Sequence, residues 1–155
     1  MPRYLALIAI LVPLVLAACA GQDGPRFAQV ASTIPPVAPD KARIYFLRDY
    51  EPYESLSEPR IYLNGSRVGA SIPGGVFYRD VVPGQYLVSV DSTGIYWNQF
   101  KTVDLRGGAT EYVKIESLRS WETGLEYEAD TFVVAVMDAA DGRRQAADLR
   151  YVEPQ

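Results

Sequence analysis

The chain of 155 residues contains no histidine and only one cysteine, Cys19. Without imidazole, neither a Ser-His-Asp triad nor a Cys-His pair can be assembled. Zinc and other metals that prefer imidazole or thiolate ligands would not find a set of these ligands in this chain. A single cysteine cannot form an intramolecular disulfide, so the fold has to rest on its own core. We therefore predict that the protein is not an enzyme and that it holds no metal.

Basic residues are also scarce. Fifteen Lys and Arg stand against nineteen Asp and Glu, which gives a formal net charge of −4 and an isoelectric point near 4.8. No basic stripe with interleaved aromatics occurs, so we expect no nucleic-acid partner. The mild acidity suits a soluble domain and does not indicate a particular partner or function.

A long apolar run occurs only at the start of the chain. Arg3 precedes an apolar core at 4–16, and two alanines stand directly before Cys19. This pattern is typical of a secretion signal, here over residues 1–18. A spanning helix is the alternative, but it needs about 20 apolar residues, and Pro13 interrupts the run.

The four residues Leu16-Ala17-Ala18-Cys19 resemble the processing site of bacterial lipoproteins. The resemblance implies diacylglycerol on the Cys19 sulfur, cleavage before Cys19 and usually an acylated amine. In the enterobacterial sorting pattern, Ala20 in place of aspartate favours the outer membrane. The resemblance thus implies a protein anchored by covalent lipid at the periplasmic face of the outer membrane, with no other cofactor. The alternative is an ordinary signal peptide whose cleavage site lies near a cysteine.

Residues 19–41 are rich in proline and small polar residues, without a sustained hydrophobic period. Such segments favour an extended polyproline II conformation of about 3.1 Å per residue, which predicts a flexible tether after the lipidated cysteine. In the alternative interpretation this segment is a terminal strand that docks on the domain through Phe27, Val30 and Ile34.

Residues 42–152 form one domain's length, with short β-branched and aromatic runs between turns. Asn64-Gly65 predicts a two-residue hairpin, because both residues tolerate positive φ. Arg106-Gly107-Gly108 predicts a second hairpin. The apolar run 131–137 predicts a central strand, and Asp138 is the candidate N-cap of a short C-terminal helix that Gly142 would weaken. Together these elements predict a mainly β, antiparallel β-sandwich with one short C-terminal helix.

The series ARIYFLR, IYLNGSRVGASIPGGVFYRDVVPGQYLVSV and VDLRGGATEYVKI resembles bacterial lipoproteins grouped as a domain of unknown function, the DUF2846 type. The Pro-Gly-x-Tyr element is also similar to PEGA and to carboxypeptidase-regulatory, transthyretin-like modules. The resemblance covers about residues 42–149 and implies a prealbumin-like sandwich with a surface location. It implies no catalytic residues, and the stretch 117–130 departs from it.

Carboxylates supply two further hypotheses. A calcium site would use oxygen ligands from an acidic cluster, although a solvated loop explains the cluster better without a Ca²⁺-loop motif. A glycosidase would need two carboxylates held about 5 to 10 Å apart, and nothing in the spacing selects a pair. The cluster consists of Glu122, Glu126, Glu128 and Asp130, and the strand carboxylates are Asp91, Asp104, Glu111 and Glu116.

Aromatic side chains in the two longest connections indicate a function more strongly than the carboxylates do. They suit contact surfaces, because they bury a large area at low entropy cost. We therefore predict a non-catalytic binding or accessory module with a partner in the cell envelope. The alternative functions are recognition of peptidoglycan or of a small ligand, and in the alternative structural role the aromatics cap the ends of the sandwich. The residues are Tyr96, Trp97, Trp121 and Tyr127.

Overall fold

In a computed structural model of the chain, the described residues are 24–51, 54–93, 99–118 and 130–154. They form nine β-strands and two α-helices, and α1 runs on into a turn of 3-10 helix at Ala31–Thr33. In chain order the elements are α1 (Phe27–Val30), β1 (Ala42–Leu47), β2 (Arg60–Leu63), β3 (Ser66–Ala70), β4 (Gly75–Val81), β5 (Gly84–Val90), β6 (Phe100–Leu105), β7 (Thr110–Ser117), β8 (Phe132–Val136), α2 (Ala139–Asp148) and β9 (Arg150–Tyr151).

The strands build two sheets, with the orders β8-β7-β1-β4-β9 and β3-β2-β5-β6. This confirms the predicted mainly β sandwich with a short C-terminal helix. Five of the seven strand pairings are antiparallel, whereas β1 pairs with β7 and β4 pairs with β9 in parallel. Within the described residues, no helix is long and apolar enough to cross a membrane.

The main core lies between the sheets and is filled by alternate side chains of the strands, such as Phe46, Val88 and Val113. Strand β1 is buried on both faces, because its other side, including Tyr45, lies under α1 and α2. The central position therefore belongs to β1. The prediction of a central strand at 131–137 is wrong, since β8 stands at the edge of its sheet.

Of the two predicted hairpins, only the first forms. Asn64 and Gly65 have φ values of 49° and 79° between β2 and β3, as a type I′ turn requires. The second is wrong, because β6 and β7 belong to different sheets. Gly107 crosses close to Pro39, where an added Cβ would lie 2.6 Å from the Pro39 carbonyl oxygen. Gly107 thus allows a close approach to the segment before β1, and Gly108 adopts a positive φ of 73°.

The C-terminal helix begins as predicted. The Asp138 carboxylate accepts a hydrogen bond of 2.8 Å from the Ala140 backbone N–H, which fixes the N-terminus of α2. Gly142 and Ala146 are the buried residues of the helix, and they face the outer side of the five-stranded sheet.

The described part of the predicted tether packs on this same side of the sheet. Phe27 is buried and joins a cluster with Tyr45, and its backbone N–H donates to the Leu149 carbonyl at 2.7 Å. The tether prediction is therefore wrong from residue 24 onward, and the alternative of docking through Phe27, Val30 and Ile34 agrees with the structure. The docked element is a short helix instead of a strand. We call residues 24–35 the N-terminal strap.

Candidate functional site

The residues predicted for lipidation and for partner contact lie outside the described residues: Cys19, Tyr96, Trp97, Trp121 and Tyr127. Lipidation of Cys19 and partner contact through the four aromatics therefore stay predictions. The structure does describe the backbone on either side of the two aromatic connections.

Those flanking segments meet at one end of the sandwich. The Thr93 N–H donates to the Asp130 carbonyl at 3.3 Å, and the Phe132 N–H donates to Ser92 Oγ at 2.9 Å. Leu118 also donates to the Thr131 carbonyl. The two connections therefore begin from one shared base, which the separation of their aromatics in the sequence did not reveal.

Arg48 ties a third connection, between β1 and β2, to the same end. Its side chain is almost completely buried and donates to the carbonyls of Ser57 at 2.6 Å and Ser71 at 3.1 Å, and also to that of Ser55. The guanidinium lies 4.9 Å from the centre of the Phe132 ring. Burial lowers the pKa of Arg48. This buried charge organises the loop, and sequence analysis missed it.

The structure describes only some of the acidic side chains that the calcium and glycosidase hypotheses invoke. Of the proposed calcium cluster only Asp130 is described, and its carboxylate accepts a hydrogen bond from Ser55, which lowers the Asp130 pKa. In the described part of the chain, no group of three Cys, Asp or Glu residues is placed to hold a metal ion. The four strand carboxylates are divided between the sheets, with Asp91 and Asp104 beside or on β5 and β6 and the two glutamates on β7.

A groove beside the N-terminal strap is a concave surface suited to binding. Its volume is about 740 Å³, which lies within the range of small-ligand pockets. We call it the strap groove. It is lined by Gly24, Pro25, Val30, Thr33, Ile34, Pro35, Glu58, Ile72, Tyr78, Tyr151, Val152 and Glu153.

Aromatic packing fixes the wall of the strap groove. The Tyr78 ring lies 5.6 Å from that of Tyr45 and 6.2 Å from that of Tyr151. The Arg43 guanidinium sits 4.1 Å from the centre of the Tyr78 ring. Burial raises the pKa of Tyr151, and the neighbouring Glu153 adds to that shift. The tyrosine hydroxyl therefore stays protonated at neutral pH and offers a hydrogen-bond donor.

Arg43 also holds the strap in place. Its Nε and Nη2 bind the two carboxylate oxygens of Asp80 at 2.6 and 2.7 Å, and its Nη1 donates to the Pro35 carbonyl at 2.9 Å. The hydrogen bonds that Arg43 donates to Asp80 raise the pKa of Arg43 despite burial, so the cation is permanent. One side chain thus joins β1, β4, the strap and a tyrosine of the groove.

The groove is acidic at its edges. Glu58 and Glu153 are exposed, and neither Lys nor Arg is found among the described residues that line it. A second groove of about 570 Å³ adjoins it and shares Ile72 and Val152. We call this second space the acidic groove. Its charged lining residues are Asp49, Glu51, Asp148 and Arg150.

The fold and these grooves define a small two-sheet β domain with a docked N-terminal strap. The chain belongs to the family described as protein of unknown function (DUF2846), which matches residues 38–125, more than half of the sequence. No curated protein and no solved structure is significantly similar to the chain.

The family match does not include most of the strap groove. Glu58, Ile72 and Tyr78 fall inside the matched residues, whereas the strap and the C-terminal residues 151–153 fall outside them. The groove is therefore built partly from matched residues and partly from residues before and after the matched range. Sequence analysis missed it, because residues far apart in the chain build it; the one signal was the apolar series Phe27, Val30 and Ile34.

Proposed function

We propose that the protein is a lipid-anchored, non-catalytic binding module of the cell envelope, held by Cys19 at the periplasmic face of the outer membrane. The strap groove carries this proposal. A half-open, mainly apolar groove with two tyrosines and two carboxylates is the kind of surface that buries part of a ligand and orients it with a few polar groups.

The docked strap bears on where such a module would work. Cys19 lies five positions before Gly24 in the sequence, so this stretch of chain reaches at most about 18 Å. An added Cβ at Gly24 would lie 2.5 Å from the Tyr151 carbonyl oxygen, so the strap begins in close contact with β9. A lipidated Cys19 would then keep the strap groove near the bilayer surface, and the partner would have to be reachable there.

The groove chemistry favours binding over catalysis. Its ionisable side chains are Glu58, Tyr78, Tyr151 and Glu153, and both carboxylates are exposed at the edge. General acid and base work needs a group with a shifted pKa beside the reacting atom, and the raised pKa of Tyr151 makes it a poor base at neutral pH. A positioned hydrogen-bond donor on an apolar wall is suited to recognition.

Photocrosslinking in intact cells tests the module. A photoreactive amino acid at position 34 or 152, in the groove, should capture a discrete partner. The matched control is position 102, which is exposed on the other sheet. Capture from 34 and 152 but not from 102 supports the proposal. Equal capture at all three positions, or none at normal expression, overturns the groove as the contact surface.

The anchor needs its own experiment. Cys19→Ala should remove incorporation of labelled palmitate and release the protein from membranes, whereas Ser57→Ala should leave both unchanged. Membrane-bound, palmitate-labelled Cys19→Ala protein would show that the anchor assignment is wrong.

Recognition of peptidoglycan is the second candidate. Tyr78 and Tyr151 line the strap groove together with two carboxylates. The aromatic rings can stack on sugar rings, and the carboxylates can accept hydrogen bonds from sugar hydroxyls. Cosedimentation with purified peptidoglycan that survives 0.5 M salt and is lost in Tyr151→Ala would favour this candidate over a protein partner.

A further inference from the structure

We infer that the strap groove and the acidic groove together bind an extended segment of a partner protein in which apolar side chains stand beside Lys or Arg. This inference rests on the proposed function and names the chemistry of its partner. It is carried by the shape of the two grooves, by their one-sided charge and by the position of Arg43.

The shape favours an extended chain. The two grooves have volumes of about 740 and 570 Å³ and lie side by side, with Ile72 and Val152 lining both. Each volume alone lies in the range of a small-ligand pocket, so one small molecule would fill one groove and leave the other empty. A peptide in extended conformation, with about 3.3 Å per residue, can place alternate side chains in the grooves on either side of Ile72 and Val152.

The charge favours a basic segment. Five carboxylates line the two grooves, and the single cation among their described lining residues is Arg150. Asp49 is already paired with Lys114 at 2.8 Å, and Glu58 interacts electrostatically with the buried Arg48. The exposed Glu51, Asp148 and Glu153, with Glu58 beside them, give the two grooves a negative charge that attracts a cation. Exposed ion pairs add little affinity each, so apolar contact with the groove supplies the binding energy. The carboxylates favour a positively charged partner and increase the rate of association.

Arg43 does not cancel this acidic field. Its guanidinium is bound to both oxygens of Asp80 and to the Pro35 carbonyl, and it covers one side of the Tyr78 ring. The Arg43 cation is thus paired with Asp80, and its electrostatic effect on Tyr151 is smaller than that of Glu153. An incoming Lys or Arg can use the Tyr151 ring, which lines the groove, as a cation–π acceptor.

Binding of defined peptides to the purified full-length protein in detergent tests the inference. Three dye-labelled nonapeptides are compared by fluorescence anisotropy: alternating Leu and Lys, alternating Leu and Glu, and alternating Ser and Lys. We expect the Leu/Lys peptide to bind at least tenfold more tightly than either of the others. Equal binding of the Leu/Glu peptide would overturn the basic requirement, and equal binding of the Ser/Lys peptide would overturn the apolar one.

Variants localise the effect. The double variant Glu58→Gln/Glu153→Gln should bind the Leu/Lys peptide at least fivefold more weakly than the wild type does. Asp40 is exposed and lies outside both grooves, so Asp40→Asn should change the affinity less than twofold. Equal weakening by Asp40→Asn would show a general charge effect and overturn the site. Spermine that displaces the peptide at an equal concentration would point to a small cation and overturn an extended segment.

The crosslinking experiment separates this inference from the proposed function. If positions 34 and 152 capture a partner and the crosslinked peptide contains no Lys or Arg, the binding module stands and the inference fails. If the positions capture nothing, the proposed function itself fails. A crosslinked peptide with apolar residues beside Lys or Arg supports both.

Discussion

Gly142 of helix α2 lies directly against Tyr112 of strand β7, so that a Cβ added to the glycine would overlap the Cβ and Cγ of the tyrosine. Tyr112 is buried and stacks on Tyr45 with ring centres 5.1 Å apart. The helix can therefore approach the sheet at this level only without a side chain at residue 142. The contact places α2 on the aromatic cluster that also receives the strap.

We predict that Gly142→Ala destabilises the protein by about 1 to 3 kcal/mol, the usual cost of overpacking a core. Helix propensity alone predicts the opposite sign, since alanine is about 1 kcal/mol better than glycine inside a helix. Urea unfolding measures the difference, with the exposed Arg143→Ala as control. A higher urea midpoint for Gly142→Ala would show that the contact with Tyr112 relaxes freely.

Gly142 also shows what the sequence left undecided. Its propensity cost was visible in the chain, whereas the contact that requires it joins residues thirty positions apart. The Asn64-Gly65 hairpin and the Asp138 N-cap were predictable, because both depend on local backbone chemistry. Arg106-Gly107-Gly108 was misinterpreted, since the same glycines suit a hairpin or a crossing between sheets. The strap groove is built from both chain ends, and no local pattern encodes it.

Phe27 gives the strap its main apolar contact. Its ring meets that of Tyr45 edge-on at 5.3 Å, and the residue is only 6% exposed. We predict that Phe27→Ala lowers the free energy of unfolding by about 3 kcal/mol. This is near the lower end of the loss seen when a buried aromatic is truncated, because a terminal segment can shift into the space that the ring leaves. Urea unfolding gives the loss, and limited proteolysis should cut the strap first.

The control for the strap is the exposed Ala28→Ser, which should change neither measurement. Unchanged stability and unchanged proteolysis of Phe27→Ala would mean that the strap contributes nothing to the fold in solution. The groove beside it would then lose one of its walls.

Arg43 and Asp80 should be coupled in a double-mutant cycle. The pair is bidentate, but the Asp80 side chain is 35% exposed, and solvent screens part of the attraction. We predict a coupling energy of about 1 kcal/mol between Arg43→Met and Asp80→Asn, measured by chemical unfolding. The cycle of Arg43→Met with the distant Asp104→Asn should give a value near zero. Coupling of the same size in both cycles would contradict a specific pair.

Stability should fall at alkaline pH because of Tyr45. Burial raises the pKa of Tyr45 above its usual value of 10, although Arg43 opposes the shift. The folded protein thus keeps the phenol proton after the unfolded chain has lost it, so this contribution is complete below pH 10 and is lost as the pH rises through the folded pKa.

The loss per pH unit approaches about 1.4 kcal/mol for one proton. Two further groups lower the stability in the same pH range. Burial raises the pKa of Tyr151. Burial opposes the shift of Lys114, but its hydrogen bond to Asp49 and the nearby carboxylates together outweigh burial, so the pKa of Lys114 is also raised. Comparing wild type with Tyr45→Phe by urea unfolding from pH 8 to 11 isolates the Tyr45 share. We expect Tyr45→Phe to decline less steeply above pH 10, and the control Tyr50→Phe, at a 65% exposed residue, to follow wild type. Parallel curves for wild type and Tyr45→Phe would show that Tyr45 loses its proton as easily in the folded protein as in the unfolded chain, and that the aromatic cluster under the strap admits water.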